Sequence, residues 1–299
     1  MISIVIASVN ANFLANVKEN IKTTIGCEYE VISFDNSKGQ FSLCHLYNLG
    51  AQKAKYELIC YMHEDIELRT GNWGSIVSDL FINNNELGIL GVVGSSYKAL
   101  IPSGWAVENF SGETIAANYI QSYKRLNKEK EHIFKKPNAD NPTNVACVDG
   151  FWFCTRKSIV LEIGFDEALL QGFHCYDIDF CINVGRNFNV AVTFDILIHH
   201  FSEGSFDKNW LGYALKVHKK WKAILPIIVR PISLKKQAVL EKRAFKSLIP
   251  MLLDDMYTVN KLFKLLNSYS NHKVINRLLY LKLKFYIIKS AIMHKNSNA

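Results

Sequence analysis

Four short apolar runs, rich in β-branched residues, punctuate the first third of the chain: 2–8 (Ile-Ser-Ile-Val-Ile-Ala-Ser), 29–34, 57–62 and 88–93. Near-continuous runs of this length predict strands buried on both faces, as in a parallel sheet. Between them, apolar positions recur at helical spacing. Val17 and Ile21 mark a helix over about 13–24. Leu43, Leu46 and Leu49-Gly50-Ala51 mark one over 42–54 with Ser42 as N-cap, and a third covers 73–83. Strand–helix alternation predicts an α/β fold with right-handed crossovers.

Residues 95–146 break the alternation. Pro102-Ser-Gly-Trp105, Ser111-Gly112 and a polar stretch from Lys124 to Pro142 read as a mobile loop or lid. Regular structure resumes with Val145-Ala-Cys-Val148 and the apolar Phe151-Trp-Phe-Cys-Thr155. A helix over 156–163, another ending near Asn187 and a strand over 190–194 follow. From Asp207 the pattern is mostly helical. Val274, Leu278, Leu281, Phe285, Ile288 and Ile292 form one apolar stripe, flanked by Lys273, Arg277, Lys282, Lys284 and Lys289. Two readings fit: the stripe packs on the body or a partner, or it meets a membrane surface.

Charge sharpens this division. From Lys216 onward there are 18 Lys and Arg against three acids, a net of +15, whereas the first 215 residues carry −7. An acidic body with a basic tail is a binding arrangement, because no fold requires it. With 299 residues and 49% hydrophobic content, the chain suits one large domain plus an appendage. Its seven cysteines form no Cys-x-x-Cys pair and lie mostly in apolar segments, which predicts reduced, buried thiols. No positively charged leader and no run of about 18 uncharged apolar residues is visible. The expected location is cytoplasmic, peripheral on the inner face of the membrane if the tail meets lipid.

The chemistry concentrates in two acidic clusters. Asp177 and Asp179 stand two apart at the mouth of an apolar segment, just behind His174. Carboxylates this close ask for a cation, a proton to move, or a helix N-terminus. His63-Glu64-Asp65 ends the third strand and Asp35-Asn36-Ser37 follows the second. Both lie on the carboxyl edge of the sheet, where α/β folds bind ligands. No Gly-x-Gly-x-x-Gly, Walker loop, nucleophile elbow or zinc spacing is present, so dinucleotide oxidoreductases, NTPases and serine hydrolases fit poorly.

In their order along the chain, these residues resemble the family 2 glycosyltransferases of the GT-A fold. The resemblance rests on Ile2-Ser-Ile-Val-Ile-Ala7, Phe34-Asp35-Asn36-Ser37, Asn48-Leu-Gly-Ala51, the triplet at 63–65, and a later Asp-x-Asp followed by His. The chain is most similar to a bacterial subgroup with His-x-Asp where most relatives carry Asp-x-Asp. Its remaining motifs read Val148-Asp149-Gly150, Phe165-Asp166-Glu167, Gly172-Phe173-His174-Cys175-Tyr176-Asp177-Ile178-Asp179 and His200-Phe201-Ser202-Glu203-Gly204-Ser205. The resemblance covers residues 1–206 and leaves 207–299 as a basic, mainly helical region.

The resemblance implies a mixed, mostly parallel, Rossmann-like sheet flanked by helices, and inverting transfer of a sugar from a nucleotide-diphosphate donor to a hydroxyl acceptor. The departing diphosphate needs a cation, and Asp65 suits Mg²⁺ or Mn²⁺. His200, or His199 beside it, would complete the metal site; on an extended segment the two point opposite ways. Ala7, Asp35, Asn48, His63, Glu64, Asp149 and Gly150 are expected to line the nucleotide and donor site. Asp35 equally suits an Asx-turn cap on the residues after it. Asp177 is the candidate general base, with Asp179 and His174 in support, although both carboxylates also suit a helix N-cap. Trp152 either stacks on a sugar or belongs to strand core. The expected acceptor is a glycan or lipid-linked glycan of bacterial surface-polysaccharide or glycolipid assembly, with residues 216–299 near an anionic membrane. A non-catalytic sugar-nucleotide-binding protein is the first rival; a nucleic-acid-binding protein is the second, poorly supported because the tail lacks interleaved aromatics.

Overall fold

The computed structural model describes residues 1–110, 112–123, 128–204 and 206–297. Ser205, which ends the last motif, and Ser111 and residues 124–127 of the expected loop lie outside them. The first third follows the predicted alternation: β1 (Ile2–Ser8), α1 (Ala11–Thr24), β2 (Tyr29–Asp35), α2 (Leu43–Lys53), β3 (Leu58–Met62), β4 (Ile66–Leu68), α3 (Trp73–Ile82) and β5 (Leu87–Gly91). Asn10 caps α1 by accepting from the amides of Asn12 and Phe13, and Ser42 caps α2 through His45. Next come β6 (Val93–Ser95), β7 (Tyr97–Lys98), β8 (Ile115–Tyr123), β9 (Lys128–Lys135), β10 (Thr143–Asn144), β11 (Cys147–Val148) and β12 (Trp152–Arg156). After α4 (Lys157–Ile163) and α5 (Tyr176–Val184) the chain forms β13 (Asn189–Val192) and β14 (Ile198–His200). The last third holds α6 (Lys208–Trp221), β15 (Ile227–Ile228), α7 (Leu234–Asp254), α8 (Val259–Asn267) and α9 (Arg277–Ser297).

The larger sheet has the order β10–β13–β5–β12–β3–β1–β2. It is mixed. β1 runs parallel to β2 and β3, and β13 parallel to β5, but β12 enters antiparallel to both β3 and β5. The strands β1, β3 and β5 are almost wholly buried, which is why they read as unbroken apolar runs.

A second sheet, ordered β11–β6–β8–β14–β4 with β9 on β8, occupies much of the expected loop at 95–146. That expectation is corrected. β9 reads Lys-Glu-Lys-Glu-His-Ile-Phe-Lys, with Ile133 buried and its charges in water. An outer strand solvated in this way looks like a loop by composition. β8 is mostly buried, but its Ala-Ala-Asn segment has weak strand preference and hides it.

The C-terminal helices share the body's core. One apolar cluster runs from Val5 and Ile59 through Leu211 to Leu240, Phe245 and Leu283. Buried polar groups fasten the helices to the segment after β7. Glu241 of α7, fully buried, accepts from Tyr97 Oη (2.6 Å) and the amides of Leu100 (2.9 Å) and Ile101 (3.0 Å). Lys98 Nζ, with three N–H groups to share, lies 2.9 Å from each of four acceptors: the Ser103 and Gly104 carbonyls, Ser103 Oγ and His218 Nε2 of α6. Burial lowers Lys98 to about 8 and holds His218 well below the usual imidazole range. Neutral His218 donates from Nδ1 to the Leu100 carbonyl and so offers Nε2 as an acceptor. Glu241→Leu strands three buried donors, at a cost of about 3 kcal/mol or more. The melting temperature is expected to fall by roughly 5–10 °C, and Glu241→Gln, which keeps an acceptor, to fall less. Calorimetry that found Glu241→Leu melting with the wild type would show that the donors have other partners.

Helix α9 removes one of the readings of the stripe, packing on the body, and leaves a partner or a membrane surface. Val274 is buried, but Leu278, Leu281, Phe285, Ile288 and Ile292 face solvent. A second row, Leu279, Leu283, Ile287 and Ala291, packs instead, where α9 meets α7 and α8. Among the described residues no helix is long and apolar enough to cross a membrane.

Candidate active site

A cleft of 780 Å³ opens where β1, β3 and β14 end and α5 begins. Ala7, His63, Asp65, Asp149, Gly150, His174, Asp177 and His200 all line it. Such a volume suits a ligand of sugar-nucleotide size.

At one side of the cleft, His63, Asp65 and His200 bring one ligand atom each within 4.8 Å of one another. Asp65 Oδ1 lies 3.9 Å from His63 Nδ1 and 3.8 Å from His200 Nε2. The tautomer of His63 follows from its neighbours. Tyr176 Oη donates to the Gly150 carbonyl at 3.0 Å, so it accepts from His63 Nε2, also at 3.0 Å. Nδ1 of a neutral His63 therefore turns a lone pair toward Asp65. His200 stacks on Phe151 at 4.5 Å, and its buried Nε2 has no hydrogen-bond partner. Burial holds His200 below the usual imidazole range despite the adjacent Asp65. Burial alone would raise Asp65, but His63, His200 and a bond from Ser202 outweigh it and leave the carboxyl lowered. Two imidazole nitrogens and one carboxylate oxygen converging in this way fit a divalent cation.

Asp177 lines the same cleft, in the first turn of α5. Its Oδ2 accepts from the Gly150 amide at 3.1 Å. Burial first, and the Asp149 carboxylate second, push it up to about 7, against the pull of the Ile178, Asp177 and Gly150 amides. A carboxyl with that affinity can hold or release a proton near neutrality. Asp149 is fixed by Trp105 Nε1 (2.6 Å) and the Phe151 amide (3.1 Å).

Residues 3–221 match the glycosyltransferase-like family, a span that reaches through α6. The chain belongs to that family. Its fold is that of the GT-A glycosyltransferases, as two solved structures show. GalNAc-T7 with UDP, GalNAc and Mn²⁺ superposes with a TM-score of 0.50 at 11% identity, over 74% of this chain and 50% of that one. TarS of S. aureus superposes with a TM-score of 0.52 at 10% identity, over 99% of this chain and 55% of that one. At such identities the likeness is one of fold, and the chain spans about half the length of each. No curated protein matches the sequence.

Within this glycosyltransferase-like chain, the structure separates the expected site residues. Glu64 reaches the cleft, but its carboxylate is spent on the turn after β1, accepting from Ser8 Oγ (2.5 Å) and the amides of Val9 (3.1 Å) and Asn10 (3.0 Å). Asn48 lies outside the cleft, with its amide paired to both backbone groups of Phe165. His199 points the other way from His200, toward Ser122 (2.8 Å) and Glu67 (3.8 Å). Asp179 is buried against Lys220 (2.9 Å) and Trp221 Nε1 (2.7 Å) of α6. Trp152 is core, edge-on to Trp73 at 6.0 Å. Asp35 is exposed at the end of β2 and accepts from the Ser37 amide at 2.9 Å, a bond that lowers its pKa. His174 lines the cleft 3.6 Å from Asp207, with its pKa lowered by burial.

Two residues of the site carry roles that no motif assigned them: Tyr176, which ties His63 to Gly150, and Trp105, which ties the segment after β7 to Asp149. Tyr176 stands inside the quoted motif next to Asp177, which was the available signal. Gly150 is required by contact. A Cβ there would collide with Tyr176 Oη and sit 3.0 Å from Asp177 Cβ. Gly150→Ala is expected to lower kcat/KM at least about a hundredfold by displacing both groups. The melting temperature should also drop, because overpacking costs about 1–3 kcal/mol. Steady-state kinetics matching the wild type would show that the contact relaxes freely.

Proposed function

We propose that the chain transfers a sugar from a nucleotide-diphosphate donor to a hydroxyl acceptor, with inversion and with help from a divalent cation. The observation that carries the reading is the convergence of His63 Nδ1, Asp65 Oδ1 and the unpartnered His200 Nε2 in a cleft that also holds Asp177. Those three residues would hold Mn²⁺ or Mg²⁺, which supplies positive charge for the departing diphosphate. Asp177 accepts the acceptor hydroxyl's proton as the new bond to the anomeric carbon forms and the bond to the donor phosphate breaks. Asp149, anchored by Trp105, keeps a second carboxylate beside Asp177 and so raises its proton affinity. Ala7 walls the cleft at the end of β1, and Asp35 ends the neighbouring strand, where it would meet the nucleotide base or ribose.

GalNAc-T7, whose structure contains UDP, GalNAc and Mn²⁺, supports a sugar nucleotide and Mn²⁺ as the first ligands to try. The His-x-Asp subgroup motifs support a setting in bacterial surface-polysaccharide or glycolipid assembly, with a free or lipid-linked glycan as acceptor. A melting-temperature panel of nucleoside diphosphates and their sugars, with and without Mn²⁺ or Mg²⁺, tests the reading. A ligand specific to the native state raises the midpoint by mass action. One nucleotide should stand out, and only with metal. A panel flat for every diphosphate would sink the transferase reading.

A further inference from the structure

Helix α9 is apolar on two sides, and only one side is covered. The uncovered row, Leu278, Leu281, Phe285, Ile288 and Ile292, stands 46–69% exposed. Its alternating three- and four-residue steps keep it on one line, roughly 20 Å long. A stripe of this size on a folded domain marks a surface that meets something apolar.

The charges beside it decide what. Arg277, Lys282, Lys284, Lys289 and Lys295 flank the stripe, and α9 contains no acidic residue. If a second copy covered the row as a coiled coil, Lys282, Lys284 and Lys289 would take the positions beside the seam. Like charges would then face each other across it. An anionic lipid surface reverses that sign: the apolar row enters the acyl boundary while the lysines meet phosphates. The wider region agrees, with +15 from Lys216 onward against −7 before it. We infer that α9 lies flat on an anionic lipid surface, with Leu278, Leu281, Phe285, Ile288 and Ile292 inserted and the flanking lysines at the headgroups. This contact is independent of the glycosyl-transfer reading, and its test uses no donor.

The test is flotation of the full chain with phosphatidylcholine vesicles, with and without an equal part of phosphatidylglycerol, at low and high ionic strength. The chain should float with the anionic vesicles, weaken with salt, and bind phosphatidylcholine alone poorly. Leu281→Ser with Phe285→Ser should lower vesicle affinity at least about a hundredfold. Lys282→Gln with Lys289→Gln should lower it roughly twenty- to thirtyfold. All four side chains are wholly or partly solvated, so both variants should melt with the wild type, which separates lost binding from lost folding. Absence of the wild type from anionic vesicles at low salt overturns the inference. So does binding that survives Leu281→Ser with Phe285→Ser. A dimer, seen by light scattering, that this variant splits would assign the stripe to a second copy instead.

Discussion

Asp177→Asn is expected to lower kcat by about a thousandfold while leaving donor and metal binding near wild type, because it removes the proton acceptor and keeps the shape. The wild-type kcat/KM should climb tenfold per unit of rising pH and level off above about 7, where the buried carboxyl loses its proton. The variant should show no such limb. Stability moves the opposite way. Asp177 binds its proton more tightly folded than unfolded, so its contribution is fully present below 3.8 and is lost as pH rises through about 7. Above pH 7 the wild type carries a buried charge that Asn lacks, so Asp177→Asn should melt higher than the wild type there and lose that advantage toward pH 4. A pH–rate profile and melting curves on both proteins decide this. An Asn variant with the wild-type limb would assign the proton transfer to another group, with Asp149 the first to examine.

Asp65→Ala is expected to abolish the metal response. At a hundredfold excess over its dissociation constant, Mn²⁺ stabilises a native site by about 2.7 kcal/mol, which melting curves resolve as a shift of several degrees. The wild type should show that shift, and more with a nucleoside diphosphate added; the variant should show neither. The apo proteins set the baseline. Asp65 is held below its usual pKa by the two imidazoles and Ser202, so its stabilising contribution is present above 3.8 and lost as pH falls below it. The metal-free variant should therefore melt somewhat lower than the wild type at neutral pH, with the gap closing in acid. Titration calorimetry with equal Mn²⁺ affinity in both proteins would remove Asp65 from the ligand set.

The carboxyl edge of the sheet was legible because β1 and β3 are buried on both faces, so their apolar runs end abruptly where the polar site begins. His63, Glu64 and Asp65 could be placed there from strand order, whereas Asp149 and Asp177 were placed by the resemblance of their motifs to the family. Which member of each pair faces the cleft could not be read from either. Glu64 and Asp65 are adjacent acids of similar chemistry, yet one is consumed by three donors of the β1–α1 turn and the other stands between two histidines. Asn48 and Trp152 fail for the same reason: an amide and an indole serve packing or a ligand equally well until their neighbours are known. Tyr176 was hidden because a tyrosine in an apolar helix start looks like core, and most of it is core.

By itself the sequence determined the α/β alternation, the sheet edge on which the candidate site lies, and the basic tail. Those follow from periodicity and composition, which are properties of single segments. Only the tertiary structure decided that β12 runs against its neighbours, that residues 115–123 and 128–135 supply strands, that His200 rather than His199 turns inward, and that the stripe from Leu278 to Ile292 stays uncovered. Each of these depends on what a face is packed against. Periodicity reports that a face is apolar; it carries no information about which neighbour, if any, removes that face from water.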